Sequence, residues 1–316
     1  MLLYFLFLIG FLLLIKGADF LISGASVIGK RLGVSSLIIG LTVVAFGTSL
    51  PEMVVNVFAS LRGSSDLVVG NILGSNISNT LLILGVSALI FPLKAQKKII
   101  WREIPYGVLA VLVVGALAAD AFLDGAGVSQ LGRGDGFALL SLFSIFLYAM
   151  FSGGAESIKE EVAGEFSVWR AAVYVVVGMA ALTLGGKWIV DGAVEIARQI
   201  GLSETMIGLT IVAFGTSLPE LATSATAAYK RQIAIAIGNV VGSNIFNLLL
   251  VLGVNAVIAP VVFEAEHFAD WAITLVTALL LFLIMFVGKR HVLQRWQGGI
   301  FVGMYVVYIV TRVVLS

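Results

Sequence analysis

The chain has 316 residues, of which 60% are hydrophobic and only 12% charged, with a net charge of +1 and a mean hydropathy of +1.09. A soluble domain is nearer 45–50% apolar and about 25% charged, so most of this chain must be solvated by lipid, and no basic surface for nucleic acid is present. It contains no cysteine, which excludes a disulfide framework and a thiolate metal site.

Taken from the N-terminus, apolar stretches of the roughly 20 residues that cross a bilayer are predicted at 2–29, 34–61, 67–92, 103–123, 136–152, 168–199, 204–229, 233–260, 268–288 and 297–315. The first lacks a basic n-region and reads as a span rather than a cleaved leader. The longest polar connection, Ser152–Ser167, is rich in Glu and Lys. Its acids lack EF-hand spacing, and it reads as a solvated cytoplasmic linker, 153–167, between a first half, 1–152, and a second, 168–316. Lys and Arg collect in cytoplasmic loops. With the N-terminus outside, inner segments hold 13 of the 19 basic residues and outer segments hold 4. The bias predicts a multi-pass protein of the cytoplasmic membrane with both termini outside. Most of the five tryptophans lie near predicted span ends, as interfacial anchors do. His267 and His291 both fall in predicted loops.

Residues 33–92 align with 201–260 without a gap at a constant offset of 168, and 31 of the 60 pairs are identical. Each half carries five spans, an odd number, so the second copy enters from the opposite side. The predicted fold class is therefore all-α integral membrane, ten transmembrane helices as two inverted five-helix repeats. That architecture is common in secondary transporters, whose sites lie near the midplane between the halves. The identities concentrate on Gly, Thr, Ser, Asn, Pro and Glu; duplication that served packing alone would hold the apolar positions at least as well.

Two motifs recur. The first is GTSLPE, at Gly47–Glu52 and Gly215–Glu220. Proline lacks an N–H and its ring clashes with the carbonyl four residues back, so Pro51 and Pro219 are expected to break their helices and free backbone oxygens near Ala45–Gly47 and Ala213–Gly215. Such carbonyls are tolerated at this depth only where buried in protein or lining a cavity. Beside them stand Thr48, Ser49 and Glu52, and Thr216, Ser217 and Glu220. Thr48 and Glu52, four apart, share a helix face. Carbonyl, hydroxyl and carboxylate oxygens together suit hard cations such as Ca²⁺ or Na⁺ and suit softer metals poorly. A lone Glu at the bilayer centre costs at least about 2.5 kcal/mol, so the two acids are expected to meet on the axis between the repeats. Pairing with Lys16 or Lys187 is the competing account, but it would give the neighbouring oxygens no purpose. The second motif is GNILGSNISN at Gly70–Asn79, matched by GNVVGSNIFN at Gly238–Asn247. Ser75 with Asn79, and Ser243 with Asn247, share a face that Asn71 and Asn239 extend. The GxxxG spacings let helices approach closely. Asp19, Asp191 and Glu195 read as members of structural pairs near interfaces.

Present twice in inverted halves, GTSLPE…GNxxGSNxxN resembles the repeats of the calcium/cation antiporter superfamily, most of all its prokaryotic calcium/sodium antiporters, over essentially the whole chain. The resemblance implies a central core formed by the motif-bearing helices, with long, tilted first and sixth spans that slide across it to alternate access. It implies four cation sites. Ca²⁺ would be held by Glu52, Glu220 and the backbone oxygens of Thr48 and Thr216. Na⁺ would use the carbonyls of Ala45 and Ala213 and the hydroxyls of Ser49, Ser75, Ser217 and Ser243 with the same glutamates, and Asn79 and Asn247 would flank the middle. Some relatives carry Asp where this chain has Asn247, and in the potassium-dependent branch an acid there accompanies K⁺ transport, so Asn247 implies K⁺ independence. The resemblance further implies three Na⁺ exchanged per Ca²⁺, hence net charge movement. It implies no cofactor and no enzymatic step, the ions and the bilayer being the partners, and nothing in the sequence requires more than one chain. Two other readings remain at this point. A Ca²⁺/H⁺ exchanger would use Glu52 and Glu220 as proton carriers, but the repeats hold no further intramembrane acid or His. A cation channel fits interrupted helices in inverted halves less well.

Overall fold

The computed structural model describes residues 2–123, 125, 127–152, 167–201 and 213–315. The first half holds α1 (Leu2–Leu32), α2 (Ser36–Leu61), α3 (Ser65–Ile90), α4 (Ile99–Leu117) and α5 (Arg133–Ser152). The second holds α6 (Val168–Gln199), α7 (Leu218–Tyr229), α8 (Ile233–Ile258), α9 (Ala265–Ile284) and α10 (Arg295–Leu315). Among the described residues, all of these but α7 are long and apolar enough to cross a membrane. The stretch that would complete the predicted seventh span, 204–212, lies outside the described residues, as does the linker apart from Ser167. The chain is an all-α membrane fold of two inverted five-helix repeats.

The boundaries follow the apolar stretches to within a few residues, except at the fourth. There α4 begins at Ile99, ends at Leu117, and is followed by a short helix at Asp120–Leu123. The predicted span begins at 103, whereas the helix already takes in Ile99–Arg102. Glu103 is buried with its carboxylate 3.2 Å from Arg102 Nε, and Arg102 Nη2 also donates to Ala149 O of α5. His267 is likewise displaced from its predicted loop. It lies buried in the first turn of α9, where its Nδ1 accepts from the Glu264 N–H at 3.0 Å and closes the helix cap. A capping residue reads as loop in the sequence because it precedes the apolar run.

The inversion is visible in the pairing of α1 with α6. A Cβ built on Gly10 would fall 2.8 Å from Gly185 O, and one on Gly17 would fall 2.9 Å from both Gly178 O and Leu182 N. One on Gly24 would meet Ala171, and one on Gly192 would meet Phe7. Numbers rise along one helix as they fall along the other, so equivalent helices of the two halves run antiparallel. Gly10, Gly17 and Gly24 recur 168 residues later as Gly178, Gly185 and Gly192, giving a glycine seam at which the backbones touch. At 31 and 32 residues, these helices are about 46 Å or more long, well beyond a hydrocarbon core of ~30 Å, so they tilt or project.

The motif-bearing helices form the centre. Burial covers 78% of the most apolar window of α3 and 89% of that of α8, against 28% for α5 and α9 and 17% for α10. Gly238 and Gly242 let α8 lie against Leu37–Leu41 of α2, a built Cβ falling 3.0 Å from Leu37 O and 2.7 Å from Leu41 O. This is the packing role expected of the second GxxxG. Each half's last helix covers the other half's third: Gly136 of α5 abuts Gly253 of α8, and Gly298 of α10 abuts Gly85 of α3. Two short antiparallel strand pairs also join the halves: β1 (Leu93–Lys94) with β4 (Val292–Leu293), and β2 (Gln130–Leu131) with β3 (Val261–Val262). The repeats are thus interlocked around one core.

Candidate ion-binding site

The two GTSLPE copies do not fold alike. In the first, α2 runs unbroken through Pro51, contrary to the expected break. A proline costs the Gly47 carbonyl its partner and crowds it, and a wider π turn at Gly40–Val44 lies just upstream. Such turns recur at functional positions in membrane and soluble helices. In the second copy the expected break is present. Ala213–Gly215 forms a single turn, Thr216 and Ser217 leave the helix, the Ser217 N–H bonds Phe214 O at 3.1 Å, and Pro219 sits in the first turn of α7. That is a position where its missing N–H is harmless.

Glu52 and Glu220 are 1% and 0% exposed. Both face the interior, Glu52 from α2 and Glu220 from the first turn of α7. Across the repeat boundary Ser49 Oγ donates to Glu220 Oε1 at 3.1 Å. Thr48 Oγ1 is shared between Ala45 O at 3.3 Å and Asn239 Oδ1 at 3.2 Å. Asn239 Nδ2 in turn donates to Ser224 Oγ at 2.9 Å and reaches Glu220 O at 3.4 Å, tying α8 to the start of α7 and to α2. In the other half Asn56 Nδ2 donates to Glu52 O at 2.8 Å. Both glutamates therefore have backbone carbonyls held by a carboxamide from a neighbouring turn or helix.

Of the sequence-predicted residues, Ala45, Thr48, Ser49, Glu52, Ser75, Asn79, Ser217, Glu220, Ser243 and Asn247 are all buried. Ser75 Oγ donates to Asn71 Oδ1 at 3.2 Å. Thr216 is half-buried in the turn before α7, and Ala213 opens the preceding turn. Glu52 Oε2, Glu220 Oε2, Ser217 Oγ, Ser243 Oγ, Asn79 Oδ1 and Asn247 Oδ1 are buried oxygens without a protein hydrogen bond. Unsatisfied buried polar atoms are rare and costly, and these six oxygens, at six predicted positions, are of the types that suit a hard cation. The lysine account fails for one candidate: Lys187 pairs with Asp191 at 3.9 Å. Asp19 pairs with Lys230, and Glu195 accepts from Gln199 at 3.0 Å, as the structural reading expected.

Several participants were not singled out in the sequence. Asn76 and Asn244 are equivalent under the repeat and stand beside the motif serines; Thr80 follows Asn79. Asn79 Nδ2 donates to Asn244 Oδ1 at 3.0 Å, and Asn244 Nδ2 donates to Thr80 Oγ1 at 2.9 Å. The signal available was the offset-168 identity of Asn76 and Asn244. Matching π turns at Ser78–Ile83 and Phe246–Val251 follow Asn76 and Asn244 and have no sequence signature.

Fold and site together define a polytopic membrane protein with two buried acids, one from each inverted repeat. The chain belongs to the sodium/calcium exchanger protein family, whose model matches residues 2–152 and 170–314. It is 32% identical to the sodium/calcium exchanger MaX1 of Methanosarcina acetivorans over 97% of each chain. It is 36% identical to the inner membrane protein YrbG of Escherichia coli over 88% of this chain and 87% of that one. Among solved structures it superposes on the sodium-calcium exchanger NCX_Mj, soaked with Na⁺ and Sr²⁺, with a TM-score of 0.84 and 33% identity, covering 98% of both chains.

Proposed function

We propose that this protein exchanges Ca²⁺ for Na⁺ across the cytoplasmic membrane by alternating access, with both termini outside, without K⁺ and with net movement of charge. The observation that carries the reading is the convergence of Glu52 and Glu220, one from each repeat, in a buried cluster with hydroxyl and carboxamide oxygens and with no lysine or arginine paired to either among the described residues. Ca²⁺ would sit between the carboxylates with the Thr48 and Thr216 carbonyls. Na⁺ would use the same carboxylates with Ser49, Ser75, Ser217 and Ser243 and the carbonyls of Ala45 and Ala213. Asn79 and Asn247 would flank the middle, and an Asn rather than an acid at 247 supports K⁺ independence.

The charge balance supplies the coupling. Two ionised carboxylates carry −2. One Ca²⁺ cancels this and three Na⁺ leave +1, so both loaded states can be occluded. The empty site would bury two unpaired like charges, which is strongly unfavourable, so the empty carrier does not cross. The test is Na⁺-gradient-driven ⁴⁵Ca²⁺ uptake in proteoliposomes. Glu52→Gln and Glu220→Gln each retain shape and lose one charge. Each is expected to fold, to insert and to lose exchange, since removing one member of a buried charged cluster costs about 3 kcal/mol, roughly a hundredfold. Normal uptake by either variant would remove the assignment, and uptake driven by a pH gradient in the absence of Na⁺ would favour proton exchange instead.

A further inference from the structure

The repeat equates Asn79 with Asn247, Asn244 with Asn76, and Thr80 with Leu248. The first two pairs are identical residues and the third is not. In the half that has threonine, the carboxamides form a directed chain: Asn79 Nδ2 donates to Asn244 Oδ1, and Asn244 Nδ2 donates to Thr80 Oγ1. In the half that has leucine there is no such chain. Both side-chain polar atoms of Asn247, and both of Asn76, are buried without a hydrogen-bond partner. Asn76, Thr80 and Asn244 also line one cavity of about 30 Å³ between the core and helices α4 and α9, on a part of the core that no predicted ion ligand lines.

A carboxamide has an oxygen end and an N–H end that differ little in shape but oppose each other in charge. Only the oxygen end can face a cation. Once Asn79 Nδ2 is engaged by Asn244 Oδ1, the atom left over is Asn79 Oδ1, which is buried and has no partner in the protein. Turning Asn79 alone would set its oxygen against Asn244 Oδ1, two acceptors face to face, and turning both together requires the Thr80 hydroxyl to change from accepting from Asn244 Nδ2 to donating to Asn244 Oδ1. We propose that Asn244, anchored by Thr80, is a positioning residue that fixes the Asn79 carboxamide with its oxygen toward the ions, while Asn247 is left free to present either end. The proposal rests on the exchange reading. It gives the two formally equivalent asparagines unequal roles: Asn79 as a committed oxygen donor, and Asn247 as an adaptable group whose orientation can differ between the Ca²⁺-loaded and Na⁺-loaded states.

The experiment follows the melting temperature of the purified full-length protein in detergent as Ca²⁺ or Na⁺ is titrated, since a cation bound only by the folded state stabilises it by mass action. Thr80→Val keeps the shape and removes the hydroxyl; Thr80→Ser keeps the hydroxyl. The expected result is a several-fold rise in the half-saturating cation concentration for Thr80→Val, with the cation-free melting temperature within a few degrees of wild type, and near-wild-type titration for Thr80→Ser. Leu248→Thr supplies the missing anchor to the Asn76–Asn247 pair and is expected to lower the half-saturating concentration. Identical titrations for wild type and Thr80→Val, or equal weakening by Val and Ser, would overturn the positioning role alone. Should Thr80→Val not fold, Leu248→Thr decides, an unchanged titration overturning the proposal. A wild type that neither cation stabilises overturns the exchange reading and this proposal with it.

Discussion

Ser49 shows how the residues of the site depend on one another across the repeat boundary. Its hydroxyl reaches from α2 to Glu220 on α7 at 3.1 Å, so the first repeat helps hold the acid of the second. Ser49→Ala removes a bond to a charged group, worth about 1.5–3 kcal/mol. The half-saturating Ca²⁺ concentration should rise roughly tenfold or more, and the melting temperature without cation should fall by a few degrees because the same bond is present in the cation-free fold; an unchanged Ca²⁺ titration would show that this hydroxyl contributes nothing to the site. Residues of this kind were legible in the sequence because a glutamate in an apolar span is costly and a duplicated one more so. Asn76, Thr80 and Asn244 were less legible. A regular helix turns the residue beside a ligand about 100° away from it, so the link of Asn79 to Asn244 and of Asn244 to Thr80 comes from the packing of α3 against α8 and not from spacing along either helix. The fate of Pro51 was illegible for the same reason: whether proline breaks a helix depends on the turn before it and on the room beside the carbonyl it crowds, and GTSLPE is identical in the copy that breaks and the copy that does not.

At the scale of elements, the fold separates α1 and α6, joined along a backbone-to-backbone glycine seam, from a core stitched by asparagine side chains. A side chain at Gly17 or Gly185 would strike backbone atoms of the partner helix within 3 Å, and backbone cannot move aside as a side-chain tip can. Gly17→Val or Gly185→Val is therefore expected to push the two helices apart at a cost of about 1–3 kcal/mol, seen as a lower melting temperature and slower exchange. A wild-type melting temperature would mean that the seam is not close-packed in the membrane. Two polar ties join α1 to the core among the described residues. Asp19 of α1 pairs with Lys230 at the end of α7, and Ser26 Oγ reaches Gln232 at 3.5 Å. If α1 and α6 move as a unit across the core, these ties must break while the glycine seam stays whole. Asp19→Asn is then expected to change the side from which a cysteine placed in the pocket is labelled, with little loss of stability, because exposed ion pairs contribute under about 1 kcal/mol. Labelling identical to wild type would show that the pair does not bias the two access states.

For the whole molecule the open question is how many charges cross per cycle, and the pocket contains the means to answer it. On the exchange proposed above, a cycle that carries one Ca²⁺ inward and three Na⁺ outward removes one positive charge from the interior. An inside-positive potential must then favour Ca²⁺ uptake and an inside-negative one oppose it. One charge moving through 100 mV is worth about 2.3 kcal/mol, so ~60 mV corresponds to about 1.4 kcal/mol, a tenfold change in the Ca²⁺ ratio at equilibrium. In vesicles loaded with Na⁺, valinomycin and an inward K⁺ gradient would set the inside positive. The Ca²⁺ ratio should then rise tenfold for each ~60 mV, and removing K⁺ and valinomycin together should leave exchange intact but slower as charge accumulates. A ratio indifferent to potential would mean two Na⁺ per Ca²⁺, with every loaded state neutral against the −2 of Glu52 and Glu220. Asn79 and Asn247 would then have no third cation to accommodate, so the stoichiometry measured on the whole molecule reports directly on how many ions the oxygens between the repeats can hold.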